Sequence, residues 1–137
     1  MAKQTITLRL TIKDPVPGVC YSLQDKDGEP VDVVVATEAP LTLHAPVTLT
    51  DDNRLTGPFV RREGPERRFI YIGIGKHAGA ADSPWDRRAK IDVHDIPADL
   101  LEAARQGHAL ETRLPGRAKD GGPACATVRP LEPWKTV

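Results

Sequence analysis

The residues best equipped for chemistry in this chain are arginines that come in pairs. Arg61-Arg62, Arg67-Arg68 and Arg87-Arg88 all lie between Leu55 and Ala89, a stretch that also holds four of the six aromatic residues, Phe59, Phe69, Tyr71 and Trp85. A guanidinium presents a planar fork of donors that matches a carboxylate or a phosphate. An aromatic wall with arginines at its rim suits a small anionic ligand in a barrel mouth. In a strand, adjacent side chains leave opposite faces, so each pair sends one arginine each way. The first two pairs flank the turn Glu63-Gly64-Pro65-Glu66, which makes their same-face members cross-strand neighbours. Like charges so placed repel unless an acid or a bound anion separates them. Two readings follow: a hairpin neutralised by Glu63, Glu66 and Asp86, or an anion-binding surface. For the second, the expected ligand-binding residues are Arg68, Tyr71, Trp85 and Arg88.

Other candidates for chemistry carry weaker signatures. Cys125 follows the loop Asp120-Gly121-Gly122-Pro123, and as a nucleophile it needs a base from His44, His77, His94 or His108. The plain alternative is a small buried thiol. The glycine loop could offer backbone N–H groups to an anion, but it lacks the Gly-Lys-Ser/Thr ending of a phosphate loop and reads equally as a turn. The histidines have no metal-ligand spacing, and His44 and His94 fall on polar strand faces, so no metal and no cofactor is expected.

Charge and composition narrow the class. The chain has 137 residues, a formal net charge of zero, and cysteines only at positions 20 and 125. Residues 54–90 carry nine Lys/Arg against four Asp/Glu, a local charge of +5 that the rest of the chain balances. A neutral protein with one basic surface is a poor nucleic-acid or membrane binder. No apolar run approaches the roughly 18 residues of a membrane span, and the N-terminus lacks a secretory core. A single cytoplasmic domain with reduced thiols is therefore expected.

The elements that must position these residues are mostly strands. Ile6, Leu8, Leu10 and Ile12 alternate with Thr5, Thr7, Arg9 and Thr11, the period of a half-buried strand. Val19–Gln24 reads as a second strand antiparallel to the first, and Val31–Ala36 as a third, buried on both faces. Leu41 to Thr50 alternates most cleanly, with Pro46 implying an edge or a bulge. Leu55–Arg61 reads as one short strand. Arg67–Gly75 carries apolar residues on both faces, which predicts a central position or a place at a subunit interface. Strands are also expected over Ala89–His94, His108–Leu114 and Cys125–Arg129, with Pro130–Val137 as a tail. Residues 96–106 form the one convincing helix, with Pro97 in its first turn and Gly107 at its end. Eight or so short strands with one α-helix predict a mainly β fold, an antiparallel β-sandwich or small barrel.

Four strings resemble a known family: Gly57-Pro58-Phe59-Val60, Arg68-Phe69-Ile70-Tyr71-Ile72, Ser83-Pro84-Trp85-Asp86-Arg87-Arg88-Ala89-Lys90-Ile91, and Asp120-Gly121-Gly122-Pro123-Ala124-Cys125-Ala126-Thr127-Val128. The family is a group of small bacterial proteins catalogued as a domain of unknown function. The resemblance implies a bacterial, cytoplasmic, single-domain protein and carries no reaction or ligand. The expected function is a non-catalytic β module that binds a small anionic ligand or a partner protein through the Phe59–Arg88 region. The alternatives are a small enzyme using Cys125 or a histidine in the same cavity, and a homodimer built on the Arg67–Gly75 strand.

Overall fold

The computed structural model describes residues 4–75 and 87–137. Alternating apolar and polar residues build two curled sheets around one core. The first sheet has the order β11-β9-β1-β4-β5, formed by Glu132–Thr136, Leu110–Pro115, Gln4–Lys13, Leu41–Leu49 and Leu55–Thr56. The second runs β10-β8-β7-β2-β3, formed by Ala126–Thr127, Arg87–Asp92, Arg67–Gly75, Cys20–Gln24 and Pro30–Val35; β6, Val60–Glu63, also pairs with β7. The fold is thus a mainly β sandwich of two half-barrels with one helix, α1, over Ala98–Arg105. Most pairings are antiparallel, but β1–β9 and β8–β10 are parallel.

Each sheet turns one face inward. Ile6, Leu8, Leu10 and Ile12 of β1 meet Ile70, Ile72 and Ile74 of β7, Leu23 of β2 and Ile91 of β8 in one apolar cluster. The four β1 side chains contribute about 6–12 kcal/mol as an upper bound, at roughly 1.5–3 kcal/mol each. Pro46 sits at an edge, because β5 covers only Thr48 and Leu49 on that side of β4. Helix α1 buries Leu101 and Ala104 and ends at Gly107, whose φ of 104° suits only glycine without strain.

Several expectations are corrected by the topology. The strand after Pro17 does not pair with the first one; β1 and β2 belong to different sheets. Val31–Ala36 is not buried on both faces. It is the edge strand β3, and Val33, Val34 and Val35 are exposed, because only β2 pairs with it. The stretch Leu55–Arg61 is two strands, not one. Gly57, at φ 128°, breaks it so that β5 completes the first sheet and β6 enters the second. The tail contains β11, whose Trp134 packs against the core.

Strand β7 spans the residues expected of it, and its central place has a simple construction. One of its edges pairs with β6 over Arg67–Ile70 and then with β2 over Tyr71–Gly75. Its other edge pairs with β8 from Phe69 to Ile74. The strand is therefore central in its sheet, and all its residues but Arg67 and Tyr71 are buried.

Candidate functional site

Parity along β7 decides which residues can meet. Ile70, Ile72 and Ile74 point into the core, so Phe69, Tyr71 and Gly73 lie on the outer face. Cross-strand pairing brings Lys90 beside Tyr71, Arg88 beside Gly73 and Asp92 beside Phe69 from β8. From the other edge come Arg61 opposite Phe69 and Gln24 opposite Tyr71. Tyr71 is the centre of this group.

Three cations face the Tyr71 ring. The guanidinium carbon of Arg61 lies 4.5 Å from its centroid, that of Arg88 lies 5.3 Å away, and the Lys90 ammonium 5.9 Å. Such contacts draw on the negative face of the ring. Lys90 also lies 4.3 Å from the centroid of Phe69, with the Arg67 guanidinium 5.0 Å away on the same ring. Phe69 is completely buried on this outer face, separate from the main core.

One carboxylate tempers the cluster. The Tyr71 hydroxyl donates to Glu63 Oε1, and Lys90 Nζ donates to Glu63 Oε2 at 3.1 Å. The Tyr71 hydrogen bond, followed by the Lys90 bond, holds the Glu63 carboxyl below the usual range. Burial, and then the same bond to Glu63, pushes the Tyr71 phenol up. Arg61 is steered from elsewhere. The turn after β2 is wound on Asp25 Oδ1, which accepts from the backbone N–H groups of Asp27 and Glu29, and Arg61 Nη2 donates to the Asp25 carbonyl at 3.2 Å.

Three buried polar atoms of this face have no hydrogen-bond partner: Nε of Arg61, Oδ1 of Asp92, and Oε1 of Gln24, a residue only 3% exposed. An unpaired buried polar atom costs roughly 1–3 kcal/mol, so each is an unfilled hydrogen-bonding position.

Of the residues singled out by sequence, Tyr71 and Arg88 come together here. Trp85 lies outside the described residues, and so does His77. Arg68 does not join them. As an even-numbered residue of β7 it faces the core side, 8% exposed, paired across the hairpin with Arg62. Arg68 is among the groups that lower the Asp52 carboxyl, after the Thr50 hydroxyl, which has the largest effect. Arg61, Glu63, Lys90 and Gln24 share the outer face with Tyr71 instead. Alternation puts Lys90 and Gln24 on the polar faces of their own strands, but only the pairing with β7 brings all four beside Tyr71.

The catalytic alternative finds little geometry. Cys125 is exposed and Cys20 buried, both as free thiols. Among the described residues no hydrogen bond joins Cys125 to a histidine. His94 lies against the backbone of Arg68 and edge-on to Phe69 at 5.7 Å, while His44 and His108 are exposed. Among the described residues no three His, Cys, Asp or Glu side chains are grouped to hold a metal, and no helix is long and apolar enough to cross a membrane.

A family model matches residues 6–137, nearly the whole chain. The chain belongs to DUF5990, a family of unknown function. No curated protein and no solved structure matches it. The family contributes no ligand or reaction.

Proposed function

We propose that this protein is a non-catalytic binding module for a small anion, a carboxylate or phosphate compound held over Tyr71. The observation that carries the reading is the convergence of Arg61, Arg88 and Lys90 on one aromatic ring. Glu63 neutralises Lys90, leaving two guanidinium groups as the ligand's counter-ions. Among the described residues neither Arg61 nor Arg88 forms an ion pair with an acid. The buried Nε of Arg61 has no hydrogen-bond partner within the protein, so this donor is not already engaged. Two free thiols fit a bacterial cytoplasm as the setting.

The test is calorimetric titration with inorganic phosphate and with citrate. Saturable binding of at least one is expected. Arg61→Ala and Arg88→Ala should each weaken it about tenfold or more, because a hydrogen bond to a charged group is worth roughly 1.5–3 kcal/mol. Arg62→Ala, on the other face, should leave it unchanged. Failure of both anions to bind, or equal loss in all three variants, would sink the reading.

A further inference from the structure

A second candidate site lies at the seam between the two sheets. After Thr127 the chain leaves β10, at one edge of the second sheet, and reaches β11, at the edge of the first, within residues 128–131. Beside this crossing is a groove of about 510 Å³. That lies within the range of small-molecule sites, roughly 300–1,000 Å³. Trp134 of β11, Pro133 and Pro97 form its apolar walls; Asp92, Asp95 and Arg129 are its charged groups. Carboxylates outnumber the single guanidinium. Trp134 is half-buried against the core, so its indole is a fixed wall.

One atom gives the groove its chemistry. Asp92 Oδ1 is buried and has no hydrogen-bond partner. A buried carboxylate oxygen without a donor is unfavourable, and a donor that brings positive charge relieves it best. Lys90, two residues earlier on the same face of β8, does not serve, because its ammonium is bonded to Glu63. An indole beside a carboxylate favours a cation on an apolar stem.

We propose that this groove binds a small organic cation, an ammonium or guanidinium carried on a short apolar stem. Asp92 is its main counter-ion, Asp95 the second, and Trp134 the surface on which the stem lies. The groove adjoins the outer face that carries Tyr71, on the Asp92 side of Phe69, and is opposite to the anion site in charge preference.

The experiment follows the Trp134 indole N–H and the backbone amides of Thr127 and Val128 by two-dimensional NMR. The intact chain is titrated with n-butylammonium chloride, and in parallel with n-butanol and sodium butyrate. Saturable shifts with butylammonium are expected, without saturation by the alcohol or the acid. Asp92→Asn keeps the shape, removes the charge, and should weaken binding about tenfold or more. Asp95→Asn, at an exposed position, should weaken it less. The proposal is overturned if butylammonium does not saturate, if butanol does equally well, or if folded Asp92→Asn binds like the parent. The comparison of butylammonium with butanol decides the matter even if Asp92→Asn does not fold. Phosphate or citrate failing to bind elsewhere leaves this result untouched.

Discussion

Glu63 is the residue on which the outer face balances, and its protonation is measurable. Its folded carboxyl titrates below the ordinary value of 4.5, first because of the Tyr71 hydroxyl and then because of Lys90. A depressed acid contributes stability above its unfolded value, and the contribution is lost as pH falls through the folded one. Glu63→Gln should therefore lower the melting temperature at neutral pH, and the gap to the parent should close as pH falls below 4.5 and through the folded value. A gap that persists in strong acid would mean that the charge is not the cause. Tyr71 gives the opposite sign. Its phenol is raised above 10, by burial first and by Glu63 second, so its contribution is present below that value and lost as pH rises through the folded one. The chain has only two tyrosines, which makes the titration readable. In a Tyr21→Phe background, tyrosinate absorbance should appear above the ordinary value. Adding Glu63→Gln should bring it down part of the way, because burial remains. No movement would mean that the Tyr71–Glu63 bond does not form in solution.

At the scale of elements, contacts between strand ends matter as much as the strands. Gly116 follows β9 directly, and its N–H donates to the Lys13 carbonyl at the end of β1, at 2.8 Å. A Cβ there would lie 2.5 Å from the Asp14 carbonyl oxygen and 2.6 Å from that of Lys13. Backbone atoms cannot rotate away as a side chain can. Gly116→Ala should cost about 1–3 kcal/mol in urea unfolding, the range for overpacking. A neutral substitution would mean that the β1–β9 junction yields easily. Elements whose own alternation fixes them were legible in the sequence. Strand β7 has the expected span, and β1 and β4 are close to theirs. Helix α1 is two residues shorter at its start and one at its end than the pattern suggested. What the pattern could not give is pairing. A run such as Val33-Val34-Val35 looks the same at an edge as at a centre, because neighbours from distant sequence decide its burial. The break at Gly57 and the strand in the tail were hidden for the same reason. Part of the Tyr71 face was legible in the sequence, and the expected residues do not all lie on it. Tyr71 and Arg68 differ in parity on one strand, which by itself excludes Arg68 from a face that Lys90 and Arg61 share.

At the scale of the molecule, we propose that the segment with a charge of +5 serves a small anion and not a nucleic acid. The fold divides those charges. Arg68 is buried beside Arg62 on one face of the β6–β7 hairpin, with Asp52 near enough to feel it. Arg61, Arg67, Arg88 and Lys90 occupy the other face, with Glu63 among them. Among the described residues the result is a patch a few residues across and not a stripe that follows a row of phosphates. Duplex binding grows with the number of phosphates neutralised, whereas a small anion needs only two or three well-aimed donors. The chain as a whole is neutral and adds no long-range attraction. At about 0.15 M salt, where screening acts over roughly 8 Å, duplex DNA should not be retained in a mobility-shift assay. Phosphate or citrate binding should weaken smoothly as salt rises, since both arginines are reached by solvent ions, and should persist at that ionic strength. Retention of DNA that is lost in Arg61→Ala would reverse the argument. It would mean that the outer face continues as a cationic track beyond the residues gathered around Tyr71.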